Sequence, residues 1–342
     1  MTIREIPPQA MRAHELYGDF WFNSEPVPIS ALRGQVVLLH FWDYSSIGCL
    51  RTLPYIKEWR GKYQPFGLVV VGVHTPKYPF AKNPEEVLKV VRRYGITYPI
   101  VVDNQYVIST SYDQRSWPLF LLIDRQGFVR FQSSGEGNYD ACEHAIQTLL
   151  YDAGVRDVLP LPMEPLREED RPGAVCYRPT PEISMGYLRG SIGNTEGYSP
   201  ESVVEYRDPG LYIDGKFYVD GNWLNDRNCV RLSEGGKKEG TIILSYHGVE
   251  VYAVIAPESK SSFEVTVKQD DQYLTVEEKG DDAVIARDGR SFVQVSSPGL
   301  YHLVNNREFG EHTLQLTCGS DSFALYAISF VSCVISQTVS NG

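Results

Sequence analysis

The sequence contains the stretch Val36-Val37-Leu38-Leu39-His40-Phe41-Trp42-Asp43-Tyr44-Ser45-Ser46-Ile47-Gly48-Cys49. Its apolar first half predicts a strand that is buried on both faces. A helix-period pattern then runs over residues 49–63, so Cys49 falls in the first turn of a helix. Because a helix N-terminus offers free N–H groups and partial positive charge, this position favours a thiolate. The stretch therefore predicts a strand, a short loop and a helix with a sulfur at their junction.

The residues that follow alternate between strand and helix patterns, which is typical of an α/β layer. Residues 68–74 predict a second buried strand. Asn83-Pro84-Glu85-Glu86 predicts a helix start, with Asn as the cap and Pro in the first turn, and Gly95 predicts its end. The last elements predicted in this half are a hairpin of residues 119–124 and 128–131 and a helix over residues 139–153.

The second half of the chain has a different pattern. Short strand-like runs recur between turn residues, which predicts an all-β, jelly-roll-like sandwich. Among the predicted strands are residues 241–246, 249–255, 301–304 and 313–316. Between the halves, the proline-rich segment Leu159-Pro160-Leu161-Pro162 predicts an extended connector. The predicted divisions are an N-terminal extension (1–18), an α/β domain (19–153), a linker (154–200), a β-sandwich domain (201–336) and a C-terminal tail (337–342).

Charge and hydropathy exclude several classes of partner. A net charge of −11 argues against sequence-independent binding of nucleic acid or anionic lipid. No apolar run reaches the roughly 18 residues of a membrane-spanning helix, and the first residues lack the apolar stretch of a signal peptide. The chain as given is predicted to be cytoplasmic, or extracytoplasmic if a leader or membrane segment has been removed.

Cysteine spacing excludes a zinc ribbon. The chain has six cysteines with no pair two residues apart. We therefore predict no metal and no cofactor. The five cysteines outside the motif are predicted to be buried free thiols: Cys142, Cys176, Cys229, Cys318 and Cys333.

The segment from Phe41 to Tyr55 resembles the TlpA/ResA-like redoxins, which carry W-x-Y-[ST]-C-x-x-C-x-R-x-x-P-Y at this place. The resemblance is greatest to members in which a thioredoxin domain precedes a carbohydrate-binding-module-like β-sandwich, as in the C-terminal part of DipZ-type proteins. It continues outside this segment at Leu32-Arg33-Gly34, Gly72-Val73-His74-Thr75-Pro76, Trp117-Pro118 and Gly135-Glu136-Gly137-Asn138-Tyr139.

The resemblance implies a thioredoxin fold and a thiol-disulfide oxidoreductase that acts on protein disulfides with an unidentified electron donor. Ser46 occupies the position of the attacking cysteine, Cys49 that of the second cysteine, and Pro118 that of the cis-proline beside the motif. A hydroxyl does not replace an attacking thiolate at neutral pH. Two explanations remain open: cysteine has been substituted by serine at position 46, or the native protein has lost its nucleophile.

Two other functions remain open. The first is a redox-inactive binding or scaffold protein. The second is a thiol peroxidase, because Ser-x-x-Cys resembles the [ST]-x-x-C of peroxiredoxins, with Arg51 or Arg115 to stabilise a Cys49 thiolate. Against the peroxidase, Trp42 stands where peroxiredoxins place a proline.

Several side chains near the motif are candidates for supporting roles. Trp42, Tyr44 and Trp117 are candidates for a substrate groove, although aromatic residues here also suit the core. Asp43 and Glu136 are candidates for a proton relay, which requires a partly buried carboxylate near the sulfur; exposed acids are the common alternative.

Two further features lie away from the motif. His74 ends a predicted strand. We interpret it as a hydrogen-bonded core or rim histidine rather than as a ligand-binding residue. In the second half, five aromatic residues suggest a surface that stacks on a glycan or protein ligand, or alternatively cross-strand core pairs: Tyr206, Tyr212, Phe217, Tyr218 and Trp223.

Overall fold

The chain divides into two units, and each has its own buried side chains. The computed structural model describes residues 3–5, 11–167, 170–171, 177–233, 239–259 and 261–332. It separates into two units, Met1–Leu166 and Arg167–Gly342. Each unit has its own apolar core. In the described residues no helix combines the length and the hydropathy that crossing a bilayer requires.

The first unit is built on a mixed seven-stranded sheet with the order β1-β7-β6-β3-β4-β5-β2. Its strands are β1 (Ile3–Glu5), β2 (Phe20–Phe22), β3 (Val36–Trp42), β4 (Leu68–His74), β5 (Ile100–Val102), β6 (Leu119–Ile123) and β7 (Val129–Ser134). Its α-helices are α1 (Ile47–Tyr63), α2 (Pro84–Arg93), α3 (Val107–Ser111) and α4 (Tyr139–Asp152), and short 3₁₀ helices cover Ile29–Leu32, Gln64–Phe66 and Pro79–Lys82. Strand β3 pairs in parallel with β4 and antiparallel with β6. This is the predicted thioredoxin fold.

The central strand β3 is buried along its whole length, as predicted. Leu38 and Trp42 belong to the core that α1, α2 and α4 cover, whereas Leu39 and Phe41 point into the core on the other face. The alternation follows from the two-residue period of a strand. The strand that leads to the motif is therefore held from both sides.

Helix α2 begins as predicted. The side chain of Asn83 accepts a hydrogen bond from the Glu85 N–H at 3.0 Å, and Pro84 is the first helical residue. The helix ends at Arg93, and Gly95 follows with φ of +59°, a left-handed conformation that glycine adopts without strain. Local capping chemistry thus fixes both ends of this element.

The second unit is built from strands, which confirms the prediction of a β-rich second half. Its strands are β8 (Ile183–Ser184), β9 (Val203–Tyr206), β10 (Tyr218–Asn225), β11 (Val230–Leu232), β12 (Gly240–Pro257), β13 (Phe263–Gln269), β14 (Gln272–Tyr273), β15 (Ala283–Ile285), β16 (Ser291–Val295), β17 (Gly299–Cys318) and β18 (Phe323–Val331). The long strands β12 and β17 pair with each other along most of their length. Strand β12 also pairs with β10 near its start and with β18 over its second half.

The predicted extension and linker both need correction. Strand β1 pairs with β7, and Leu16 is buried in the first core, so part of the predicted extension 1–18 belongs to the sheet. Leu159 lies in the first core, whereas Ile183 pairs with β18 in the second. These core positions are filled by single apolar residues that lie among prolines. The sequence therefore shows no periodic pattern that would indicate their burial. The predicted tail 337–342 lies outside the described residues.

Candidate active site

The site lies where two parallel strands end side by side. Trp42 is opposite His74 in the pairing of β3 with β4, and the Thr75 N–H donates to the Trp42 carbonyl at 2.9 Å. The chain then turns through residues 43–46 into α1, with the Ser46 N–H donating to the Asp43 carbonyl at 3.2 Å. The loop after β3 and the loop after β4 are therefore neighbours beside the motif.

Ser46 and Cys49 occupy an outer and an inner position at the start of α1. Ser46 caps the helix in an extended conformation and keeps 8% of its surface exposed, whereas Cys49 is fully buried. The Cys49 N–H donates to the Ser46 carbonyl at 3.1 Å, and the Asp43 N–H donates to Cys49 Sγ at 3.5 Å. Position 46 is thus the one nearer to solvent.

The thiol of Cys49 is hard to ionise. Burial raises its pKa to about 12. The Asp43 N–H, the Ser46 side chain and the Lys77 charge lower the pKa only in part, and the Asp43 charge raises it further. Desolvation by burial therefore outweighs the helix N-terminus at Cys49, and the thiol form is favoured over the thiolate.

Pro118 lies against the start of α1. The Trp117–Pro118 peptide bond is cis. A Cβ on Gly48 would lie 3.5 Å from Pro118 Cδ, an ordinary van der Waals distance. The Trp117 Nε1–H donates to the Thr75 carbonyl at 3.0 Å, which ties this loop to the end of β4. The ring of Trp117 remains partly exposed beside the motif.

Two of the proposed groove residues are core residues instead. Trp42 is fully buried and Tyr44 keeps only 2% of its surface exposed. The His74 ring stacks on Tyr44 at 5.6 Å between centroids and meets Trp42 edge-on at 5.3 Å. Trp42 ends a strand whose two faces are covered and Tyr44 lies two residues beyond it, so neither lines a groove. Trp117 is the groove candidate that keeps exposed surface.

The two proposed relay carboxylates are in different environments. Asp43 is fully buried, and its oxygens accept hydrogen bonds from the N–H groups of Ser45 at 2.7 Å and Lys77 at 3.0 Å. Glu136 forms an ion pair with Arg51 at 2.8 Å, and its carboxylate lies 3.6 Å from where a Gly48 Cβ would be. Both acids are therefore close to the start of α1, and both are engaged in structural contacts.

His40 is a residue of this region that the sequence analysis did not single out, because it lies inside an apolar run. Its ring is fully buried and stacks on Phe120 at 5.2 Å. Burial lowers the pKa of His40 to about 3. The hydroxyl of Thr52 donates to the Cys49 carbonyl at 2.7 Å and lies 3.3 Å from His40 Nε2. His40 is thus a neutral buried histidine beneath the motif.

The arginines considered for a peroxidase have acidic partners. Arg51 is paired with Glu136, and the largely exposed Arg115 is paired with Asp113 at 3.0 Å. Four cysteines are buried and free in the described chain, namely Cys49, Cys142, Cys229 and Cys318. Cys176 and Cys333 lie outside the described residues. Over the described ranges, no three His, Cys, Asp or Glu side chains converge as metal ligands.

The aromatic set of the second unit belongs mostly to its core. Tyr206, Phe217, Tyr218 and Trp223 keep at most 2% of their surfaces exposed, whereas Tyr212 is partly exposed. The suggestion that this set stacks on a ligand therefore needs correction. Tyr206, Phe217 and Trp223 belong to the apolar core of the second unit.

Residues 17–132 match the AhpC/TSA family, and residues 180–330 match the family described as a thioredoxin like C-terminal domain. The chain is 38% identical over 241 residues to protein DipZ of Mycobacterium bovis, which covers 69% of this chain and 33% of DipZ. It therefore spans about one third of that relative's length. A thiol-disulfide isomerase from Corynebacterium glutamicum aligns with a TM-score of 0.39 and 23% identity, covering 42% of this chain and 97% of that one.

A second relative is covered almost completely. The thiol-disulfide oxidoreductase YkuV of Bacillus subtilis is 31% identical over 125 residues, which are 36% of this chain and 84% of YkuV. In this chain Ser46 and Cys49 lie at the start of α1, and the peptide bond before Pro118 is cis. From the site and these relatives together, the chain belongs to the TlpA/ResA-like thiol-disulfide oxidoreductases, as a member with an additional C-terminal domain.

Proposed function

We propose that the native activity is thiol-disulfide exchange with protein disulfides at positions 46 and 49, in a form that carries cysteine at position 46. The observation that carries the proposal is the arrangement at the start of α1. Position 46 keeps a small exposed surface, Cys49 is fully buried one turn further along the helix, and Pro118 packs against the same turn. An outer attacking group and an inner resolving thiol are what a two-step exchange requires.

The exchange transfers two electrons to the substrate. A thiolate at position 46 attacks one sulfur of the substrate disulfide and forms a mixed disulfide, and the other substrate sulfur leaves as a thiolate. Cys49 then loses its proton and attacks the sulfur at position 46. The bond between position 46 and the substrate breaks, the substrate sulfur leaves with the electron pair and takes up a proton, and a disulfide joins positions 46 and 49. With Ser46 the first attack has no thiolate.

The surroundings of Pro118 support binding of an extended substrate segment. Trp117, the residue before Pro118, is half-buried and is anchored through Nε1 to the Thr75 carbonyl. We propose that this edge presents its backbone to the substrate, as strand addition requires. For the second unit we propose a role in partner choice, with the partly exposed Tyr212 as one aromatic residue that meets a protein or glycan.

The environment of Cys49 favours exchange over peroxide reduction. A peroxidatic thiol must be ionised and accessible. Cys49 is fully buried, and burial raises its pKa to about 12. An inner thiol of this kind suits the resolving step, in which the target sulfur lies on the same helix turn.

Restoring the outer thiol tests the proposal. We expect Ser46→Cys to accelerate reduction of insulin disulfides by dithiothreitol, whereas the unaltered chain and the double variant Ser46→Cys/Cys49→Ala add nothing to the rate of dithiothreitol alone. The readout is the turbidity of precipitating insulin B chain. A Ser46→Cys form that folds and is as inert as its parent contradicts the proposal and favours a redox-inactive binding protein.

A further inference from the structure

The carboxylate of Asp43 joins two loops beside the motif. One oxygen, Oδ1, accepts hydrogen bonds from the N–H and the hydroxyl of Ser45 in its own loop. The other oxygen, Oδ2, accepts the Lys77 N–H at 3.0 Å from the loop after β4. An ionised carboxylate is suited to this position because it only accepts hydrogen bonds.

His74 also lies close to the Asp43 carboxylate. Its Nε2 lies 3.5 Å from Asp43 Oδ2, and the ring is fully buried between Tyr44 and Trp42. Burial lowers the pKa of His74, so the ring is neutral at pH 7. The Asp43 side chain is thus fixed by hydrogen bonds from Ser45 and Lys77, with the His74 ring packed beside it.

Asp43 also contacts Cys49 through its backbone N–H. With its side chain fixed, Asp43 directs its own N–H at Cys49 Sγ, 3.5 Å away. We infer that Asp43 is a positioning residue, whose carboxylate holds this N–H in place so that it stabilises the Cys49 thiolate in the resolving step. The inference rests on the proposed function, because it assigns a role within that step.

This positioning role of Asp43 differs from the role of a proton acceptor and from the effect of a nearby charge. The negative charge of Asp43 raises the pKa of Cys49, whereas its N–H lowers that pKa. The two effects have opposite signs, so removing the carboxylate separates them. If Asp43 acts as a charge alone, neutralising it makes Cys49 easier to ionise. If Asp43 acts by positioning, neutralising it makes Cys49 harder to ionise.

The test uses the unaltered chain with Ser46 and the variant Asp43→Asn. Asparagine has the same shape, but its amide nitrogen is a donor and does not accept from both Ser45 and Lys77. The rate at which iodoacetamide alkylates Cys49 is measured against pH, with the site identified by peptide mass spectrometry. We expect alkylation to be about tenfold slower in Asp43→Asn at a fixed pH below the pKa, the effect of losing one hydrogen bond to a charged group.

A purely structural role gives the opposite result. A loosened loop exposes Cys49 and speeds alkylation, as does the loss of a repelling charge. An unchanged or faster rate in a folded Asp43→Asn variant therefore overturns the inference. Insulin reduction by Ser46→Cys is a separate readout, so the proposed function and this inference can fail independently.

A pair of variants at Lys77 decides the question if Asp43→Asn does not fold. Lys77→Gln removes the charge and keeps the N–H that Asp43 Oδ2 accepts, whereas Lys77→Pro removes both. We expect Cys49 to be alkylated several-fold more slowly in Lys77→Pro than in Lys77→Gln. Equal rates, or a faster rate in Lys77→Pro, overturn the inference.

Discussion

Cys49, in the first turn of α1, and His40, in β3, are two buried titratable residues of the site. Burial acts on them in opposite directions, raising the pKa of the thiol to about 12 and lowering that of the imidazole to about 3. In both cases the uncharged form is favoured. The motif itself identified Cys49, but its burial depends on side chains from distant strands and helices. No local pattern reports that packing, so the motif alone gives the position of Cys49 at the helix start and not the extent of its burial.

The buried His40 predicts acid lability. Its folded pKa is near 3 and its unfolded value is about 6.5, so below pH 6.5 the unfolded state binds a proton that the folded state does not. The stability is present above pH 6.5 and is lost as pH falls toward 3. As the pH falls from 6.5 to 4, we expect the free energy of unfolding to decrease less steeply in His40→Phe than in the parent. The difference between the two slopes should be about 1.4 kcal/mol per pH unit.

Urea denaturation at several pH values measures this slope in both proteins. Phenylalanine preserves the stacking on Phe120, so the comparison isolates the titrating group. Parallel stability curves for the parent and His40→Phe would contradict the assignment of a neutral buried imidazole.

The elements divide into those fixed by local signals and those fixed by pairing. The cap at Asn83 marks α2 in the sequence, and β3 is marked by its apolar run. Strands β12 and β17 differ, because the sequence predicted two short strands in each, at 241–246 and 249–255 and at 301–304 and 313–316. The structure continues each strand through the interruption, with register shifts between Gly248 and Glu250. A β-bulge keeps a strand paired across a residue whose sequence pattern predicts a turn.

Close packing at Gly248 gives a test at this scale. A Cβ there would lie 3.2 Å from the Val331 carbonyl oxygen, whereas a Cβ at Gly299 in β17 meets nothing nearer than 4.0 Å. We expect Gly248→Ala to destabilise the second unit by about 1–3 kcal/mol through overpacking. Gly299→Ala should be neutral or slightly stabilising, because it reduces the entropy of the unfolded chain.

Thermal unfolding of the two alanine variants beside the parent makes the comparison. Equal melting temperatures for Gly248→Ala and Gly299→Ala would mean that β12 and β18 do not approach each other as closely as the structure shows.

At the scale of the whole molecule, the chain has two units of different architecture, each with its own apolar core residues. The sequence predicted this division from the change in periodicity, but it set the boundary too late for the second unit. Ile183 and Met185, which lie inside the predicted linker, are core residues of that unit. Isolated apolar residues of this kind carry no period, so their partners are visible only in the folded chain.

Separate cores predict separate folding. We expect residues 1–166 and 167–342, expressed as two proteins, each to unfold cooperatively in urea, because each keeps its complete apolar core. A fragment of 201–342, which lacks Ile183 and Met185, should be markedly less stable than 167–342. Non-cooperative unfolding of either longer fragment would contradict the division at residue 166.

The central claim is that positions 46 and 49 form one thiol-disulfide site, and oxidation of the Ser46→Cys form tests it most directly. The account predicts that glutathione disulfide converts this form to a species that has lost two hydrogen atoms and in which a disulfide links positions 46 and 49. Peptide mass spectrometry without reduction detects that link. If the folded variant instead keeps Cys49 as a free thiol, with only glutathione attached at position 46, the account is contradicted.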